Sequence, residues 1–600
     1  MKISPGVLAP PHEVLSPDEW RARGQARRER VALAEHARWH PPRNRPDPIA
    51  VLEQQADTRV PDLVPIRYGR MLTSPFAYYR GAAAPMAWDL AHTPTTELRV
   101  QCCGDAHLLN FGMFAAPDRR LVFDVNDFDE TLPASFEWDV KRLAASFTVA
   151  ARDNGFSDDE ARTAARRCAN SYRTEMAHYA TMRFLNVWYS RIDVDEVTKL
   201  FDGVQPKKAA RRRRKDIRKA LQRTSLKALM KFCDQVGGEY RIRPDHPVIV
   251  RFPIERNPEM LDELRCAIAE YKETLPADRR EVLRRYYFGD FARKVVGVGS
   301  VGTEAFVLLL LGDREDEPLF LQLKEAQESV LAPFAGASEY EHQGERVARG
   351  QRMTQAATDE FLGWTKGIAA DGQKSRDYYV RQLRDMKGSM DVPAMDPGQL
   401  NYYGRLCGWA LARGHARTGR ATVISGYLGE GKDGKVFDNA IADFALAYAD
   451  QNARDYQALM DAVANGRVQA LMGLLRVPLE PPETGPLLRH RPARPGRALA
   501  AEQVELDHFP APHERHGPGD RVAALDLLDG RVEVGLAAPE LGDPDDVRLA
   551  LLTAHQVKLA TRVIAHAFGG GEQNPRQFGS LAGLRDRLAV PCHCAHGRPP

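Results

Sequence analysis

Gln101-Cys102-Cys103-Gly104-Asp105-Ala106-His107-Leu108-Leu109-Asn110-Phe111-Gly112, running on through Leu121-Val122-Phe123-Asp124-Val125 to Asn126-Asp127-Phe128-Asp129-Glu130, is the stretch whose reading decides the rest. Its apolar runs and polar turns give a strand, a loop, a second strand and a second, acidic loop. The two loops supply His107, Asn110, Asn126 and several carboxylates, flanked by apolar residues able to hold them rigidly. Hard oxygen ligands beside a proton acceptor indicate a Mg²⁺-dependent site.

Working outward, 600 residues leave room for several domains or one large bilobal body with appendages. The 84 basic and 81 acidic residues leave a formal charge of +3, so a nucleic-acid or membrane partner would need a local patch. The main charge run is Lys207-Lys208-Ala209-Ala210-Arg211-Arg212-Arg213-Arg214-Lys215. No aromatic residue interleaves it, which reads as a solvated helix face, and nucleic acid is not an expected partner. The cysteines at 102, 103, 168, 233, 266 and 407 show no paired ligand spacing, as in a reduced protein. With no apolar signal core after Met1 and no run of membrane-spanning length, a cytoplasmic location and no membrane partner are expected.

Ser16-Pro17-Asp18-Glu19 is a capping box that opens a helical pattern to His40, within an N-terminal extension over 1–65 expected at the surface. Arg67, Arg70 and Arg80 punctuate an aromatic-rich stretch and suit either phosphate binding or the exposed face of a helix. Helices are expected over Trp138–Ala151, Asp158–Arg183, Glu259–Phe288 and Glu339–Phe361. Val295–Leu311 and Leu319–Lys324 read as strands, and Arg376–Asp455 as mostly helical. Beyond Leu475, closely spaced prolines mark a linker, followed by a helix over Asp543–Phe568 and a lone Cys592-His593-Cys594 cluster.

Gly297-Val298-Gly299-Ser300-Val301-Gly302 has the GxGxxG form. A dinucleotide-binding reading requires a helix directly afterwards, whereas Phe306 to Leu311 continues as strand. A glycine loop between two strands is the device protein kinases use to cover ATP phosphates. Lys324 ends the next apolar strand, where a lysine can hold the α and β phosphates, oriented by a helix glutamate; Glu345 is the expected partner, with Glu341 as the fallback. In the opening stretch Asp105 and Asn110 stand in the D-x-x-x-x-N spacing of a kinase catalytic loop. The metal-binding aspartate is then expected to close the following strand. Asp127 fits by local motif, with Asp124 and Asp129 as alternates.

Gly104-Asp105-Ala106-His107-Leu108-Leu109-Asn110 resembles the G-D-x-H-x-x-N loop of aminoglycoside phosphotransferases and choline kinases, within the protein-kinase-like superfamily. Asn126-Asp127-Phe128-Asp129 resembles their acidic metal loop. From about Arg67 to Tyr456 the chain is similar to a bacterial domain family of unknown function. That similarity is carried by Ser74-Pro75-Phe76, Cys103 to Gly112, Asn126 to Glu130, Gly297 to Gly302, Leu323-Lys324-Glu325-Ala326 and Tyr448-Ala449-Asp450-Gln451-Asn452. Two departures stand out: Cys103 replaces the usual histidine, and the glycine loop and lysine follow the catalytic loop instead of preceding it.

The resemblance implies an α+β, bilobal, kinase-like fold in circularly permuted order, with a mainly helical large lobe and a small antiparallel-sheet lobe. Its parts would be 66–290 (catalytic and metal loops with helices), 291–365 (ATP-covering lobe), 366–475 (helical remainder) and 476–600 (linker and tail). It implies an ATP- and Mg²⁺-dependent phosphotransferase acting on a hydroxyl of a small molecule or protein. Asp105 would position or deprotonate the acceptor and His107 buttress its loop. Asn110 and Asp127 would hold Mg²⁺; Lys324 with Glu345 would grip phosphates under Gly297, Gly299, Ser300 and Gly302. Rival readings are a nucleotide-binding regulator without turnover and a metal-dependent hydrolase using Asp105, His107, Asp124 and Asp127.

Overall fold

The computed structural model describes residues 15–472 apart from 202–206, 253–256, 296, 315–316, 369–374 and 384–385. The linker and tail expected over 476–600, with the Asp543–Phe568 helix and the Cys592/Cys594 cluster, lie outside the described residues.

The opening stretch forms β1 (Arg99–Cys102), β2 (Phe111–Ala115), β3 (Leu121–Val125) and β4 (Leu132–Ser135). β1 pairs with β4 and β2 with β3, both antiparallel. The β1–β2 and β3–β4 loops are tied together where the Asn126 amide donates to the Asn110 carbonyl at 2.7 Å. Val100, Cys102, Phe111 and Val125 anchor these strands in the main core, which also takes the helices Phe136–Asp153, Asp158–Thr181, Pro397–Thr418 and Gly431–Ala464. The Phe136–Asp153 helix is buried on nearly every face, charged residues included. Each charge there finds a partner, as burial demands: Glu137 accepts from the Thr96 amide at 2.5 Å, and Lys141 donates to Thr93 Oγ1 at 2.9 Å.

β5 (Cys233–Val236) and β6 (Glu239–Ile242) make a hairpin beside a second, larger sheet. That sheet holds β7 (Ile249–Arg251), β8 (Tyr287–Lys294), β9 (Ala305–Leu311), β10 (Pro318–Glu325), β11 (Gly363–Ile368) and β12 (Ser375–Gln382). Its six strands are antiparallel, in the order β11-β12-β10-β9-β8-β7. β9 and β10 read as unbroken apolar runs because both faces are covered. Phe306, Leu308, Leu321 and Leu323 meet the Pro258–Glu273 helix, while Val307, Leu309 and Phe320 meet the Ser225–Phe232 helix.

Several expected boundaries change. Strand pairing stops at Lys294 and resumes at Ala305, so the glycine segment is a loop and not part of one strand. Pro276 separates the helices Pro258–Glu273 and Ala277–Leu283, and Tyr287 and Phe288 belong to β8, so Glu259–Phe288 is not one helix. The Glu339–Phe361 helix shortens to Gln343–Thr354. β12 occupies the start of the segment expected to be helical, and β11 straddles the expected boundary at 365/366. Tyr378 and Tyr379 point to opposite faces of β12 and both are buried, which hid the two-residue alternation of a strand.

The Ser16 capping box is present, with the Ser16 amide donating to Glu19 Oε2 at 2.7 Å, but its helix ends at Ala26. The extension is also less superficial than expected: His36 is fully buried, its Nε2 2.6 Å from the Tyr427 hydroxyl. The architecture is α+β, mostly helical with one six-stranded antiparallel sheet. Among the described residues no helix is long and apolar enough to cross a membrane. Their cysteines are all free thiols.

Candidate active site

The loop between β1 and β2 is fixed from beneath by one buried carboxylate. Asp139 accepts from the Cys103 amide at 2.8 Å and from the Gly104 amide at 3.0 Å. Gly104 has φ +81°, the left-handed region that favours glycine, and so turns the chain sharply into Asp105. The next turn closes on itself: the His107 amide donates to the Asp105 carbonyl at 2.7 Å, and Asn110 Nδ2 donates to the same carbonyl at 2.8 Å. This contact orients Asn110 and leaves its amide oxygen as the free hard donor.

Arg142, itself buried, donates to Asp105 Oδ1 from Nε at 2.6 Å and approaches it from Nη2 at 2.5 Å. Its guanidinium stacks over Tyr79, 4.7 Å from the ring centroid. One carboxylate oxygen of Asp105 is thereby anchored, while Oδ2 lies 3.8 Å from His107 Nε2. Burial pushes the His107 imidazole down to about 3, only partly opposed by Asp105, so the ring stands neutral behind the aspartate.

The loop between β3 and β4 carries the acids. Lys324, near the end of β10 and 195 residues away in sequence, donates to Asp129 Oδ2 at 2.6 Å. The Tyr379 hydroxyl donates to Asp129 Oδ1 at 2.6 Å, so both oxygens of Asp129 are engaged. Lys324 also stands 3.9 Å from Asp127 Oδ2. Burial alone would depress the lysine, but Asp127 and Asp129 outweigh it and hold the ammonium above its ordinary value. Burial likewise opposes ionisation of Asp127, yet Lys324, Arg381 and Lys387 keep its carboxyl below the usual range. Asp127 is thus ionised, a third exposed and free of a short ion pair. Together with the free oxygen of Asn110, this hard donor set fits Mg²⁺.

The glycine segment Gly297 to Gly302 connects β8 to β9 and folds back onto the residues before β1. Gly297 (φ +70°) and Gly302 (φ +97°) both need glycine's backbone freedom. The loop is pinned by three donors: Arg59 Nη1 to the Val301 carbonyl at 2.6 Å, Arg70 Nη1 to the Gly297 carbonyl at 2.6 Å, and the Val60 amide to the Gly302 carbonyl at 2.8 Å. A cleft of about 130 Å³ results. Asp105, His107, Asn110, Asp127 and Asp129 line one side, and Gly297, Gly299 and Ser300 another.

Four expected site residues do not line this cleft: Gly302 closes the glycine loop beyond it, Lys324 reaches it only through Asp129, and Glu345 and Asp124 are engaged elsewhere. Glu345 pairs with Arg349 at 3.2 Å, so the expected Lys324–Glu345 pair is replaced by Lys324–Asp129. About 100° of helix rotation separates neighbouring residues, and here it turns Arg346 inward. Arg346 donates to the carbonyls of Thr131 (2.7 Å), Asp129 (2.8 Å) and Gln327 (2.7 Å), bracing the acidic loop. Asp124 is buried with Oδ2 2.6 Å from Arg413 Nη2, where burial pushes its carboxyl up, so it is a core ion pair and not a cleft ligand.

Arg142, Asp139, Tyr379 and Arg346 were missed. The first two lie in a helix whose apolar spacing was the only signal read, and Arg346 is the sequence neighbour of the glutamate that was chosen. Cys102, Asp139 and His415 also converge, each offering a ligand atom within 4.8 Å of the others. Asp139 is already committed to the loop amides, and His415 Nδ1 lies 2.9 Å from the Tyr172 hydroxyl, which makes this a buried hydrogen-bond network.

A family model described as an uncharacterized protein conserved in bacteria, DUF2252, matches residues 59–462, and the chain belongs to that family. The match spans every residue lining the cleft from Arg59 to Val330, and Lys324 behind Asp129. No curated protein and no solved structure matches the chain.

Proposed function

We propose that the protein is an ATP- and Mg²⁺-dependent phosphotransferase acting on a hydroxyl acceptor, with a bilobal, kinase-like fold in permuted order. The observation that carries this reading is that Lys324 pairs with Asp129 beside Asp127, and that both aspartates line one cleft with Asp105, Asn110 and the glycine loop. Strand order supports it as well. The glycine loop joins two neighbouring strands, and the lysine lies on the third, as in protein kinases.

In this reading Asp105 orients the acceptor hydroxyl through Oδ2, with Arg142 holding Oδ1 and neutral His107 packing behind. Bound Mg²⁺, held by Asn110 and Asp127, would neutralise charge on the phosphates. Lys324 and the loop amides of Gly297 to Gly302 supply fixed positive potential, so catalysis is mostly positioning and electrostatics.

Mg-ATP titration combined with transfer assays across hydroxyl acceptors tests this. Lys324→Met and Asp127→Asn are expected to weaken Mg-ATP binding about tenfold or more. Asp105→Asn is expected to retain binding and lose transfer about a hundredfold. Absence of Mg-ATP binding, or metal-dependent hydrolysis that survives Lys324→Ala, defeats the reading. A second reading, a nucleotide-binding regulator without turnover, draws on the Ser225–Phe232 helix, which packs on Phe320, on the same sheet face as Lys324. Mg-ATP binding without transfer to any acceptor selects it.

A further inference from the structure

The cleft carries more positive charge than the proposed roles use. Arg59, Arg67 and Arg80 line it, yet among the described residues none has a carboxylate within ion-pair distance. Arg67 is only 1 % exposed. One of its terminal nitrogens reaches Gln55 Oε1 at 2.8 Å and the Gly81 carbonyl at 3.0 Å, while Nε and Nη1 are buried with no partner. The Nε atoms of Arg59 and Arg80 are likewise buried and unpartnered. Burial, with Arg59 nearby, pushes the Arg67 guanidinium down to about 9, and burial depresses Arg59 and Arg80 too. Glu130, Glu325 and Asp129 act on Arg59 only from beyond contact.

Buried guanidinium groups with unpartnered N–H donors and no carboxylate at contact distance are costly and suit an anion that reaches them directly. Planar guanidinium forks match tetrahedral oxyanions, and a phosphate offers enough acceptor oxygens for several at once. Arg59 and Arg67 are held in place without it, because Arg59 is tied to the glycine loop and Arg67 to Gln55 and Gly81.

We infer that Arg59, Arg67 and Arg80 form a phosphate-binding subsite within the wall of the cleft. The subsite stands on the arginines' own geometry; assigning its phosphate to one of two substrates rests on the phosphotransferase reading. The group is either the terminal phosphate of the nucleotide or a phosphate already present on the acceptor.

The test is calorimetric titration of the full chain with inorganic phosphate at fixed ionic strength, without Mg²⁺ or nucleotide. Saturable binding, weakened at least tenfold by Arg67→Met and by Arg80→Gln, is expected. A phosphate-induced rise in thermal midpoint should be lost in the same variants. Arg80→Gln, at the less buried position, carries the comparison if Arg67→Met does not fold. No saturable binding to the wild type, or equal affinity in a folded variant, overturns the subsite. Repeating the titration with a non-hydrolysable Mg-ATP analogue separates the sources: retained phosphate binding assigns the subsite to the acceptor, and competition assigns it to the nucleotide. Asp127→Asn is expected to weaken Mg-nucleotide binding about tenfold or more and keep phosphate binding, so the two proposals fail separately.

Discussion

Arg346 and Glu345 are adjacent, and the difference between them shows how far a single side chain decides this site. Glu345 is spent on a helix-surface pair with Arg349, whereas Arg346 donates to three carbonyls around the acidic loop. Glu345→Gln is therefore expected to leave Mg-ATP affinity within about twofold, and Arg346→Met to weaken it at least tenfold. The reverse order in nucleotide titrations would restore the glutamate as the lysine's partner. Two buried histidines contribute an acid-side loss to the pH response of stability. Burial pushes His107 down to about 3 and His36 well below its ordinary value. Both are neutral when folded and take up a proton when unfolded below about pH 6.5. Their contribution is complete above that pH and is lost as pH falls towards the folded values, by up to about 1.4 kcal/mol per pH unit per histidine. Urea midpoints at pH 7 and pH 5 check this, and His107→Gln is expected to show the smaller drop.

Among the elements, the Ser225–Phe232 helix bears most directly on ligand access. Its Leu229 and Phe232 pack against Val295, Val307 and Phe320, and the Phe232 and Phe320 ring centroids are 6.4 Å apart. Two residues earlier in the chain, the Arg223 carbonyl accepts from the Met386 amide at 2.9 Å, in the segment leaving β12. A nucleotide base needs an apolar slot beside the phosphate grip, and this helix fills the sheet face next to Lys324. Leu229→Ala, which thins this packing without burying a charge, is expected to tighten Mg-ATP binding several-fold by weakening the helix's hold on the sheet face. Unchanged or weaker binding would make the helix part of the site's frame and not a plug.

At the scale of the whole molecule, the segments before β1 and the long final described helix are joined by one buried ion cluster. Arg45 meets Asp89 at 2.7 Å and Asp455 at 2.6 Å, with both carboxylates almost fully buried. The Tyr448 hydroxyl donates to Asp89 at 2.8 Å from the same final helix, Gly431–Ala464. Removing the cation strands two carboxylates, so Arg45→Met is expected to lower unfolding stability by about 3–5 kcal/mol. Denaturant unfolding measures it, and a loss under about 1 kcal/mol would show that the cluster does not hold the two ends of the body together.

The sequence by itself determined the local devices. The strand-loop-strand form around Asp105, the Ser16 capping box, the glycine loop between strands and the lysine ending β10 all follow from short-range pattern, because turns, caps and alternation are set within a few residues. Helices such as Phe136–Asp153 and Asp158–Thr181 were legible for the same reason. Only the tertiary structure decided which charges meet. Asp129 takes Lys324, Asp124 goes to Arg413, Arg142 anchors Asp105, and Glu345 turns away. Partners of this kind are chosen by which buried side chain can reach which, across 195 residues for Lys324 and Asp129 and 289 for Arg413 and Asp124, and no local periodicity encodes that choice. The same holds for Arg59, Arg67 and Arg80: sequence gives their spacing, but only burial of nitrogens that no partner reaches makes them fit for an anion.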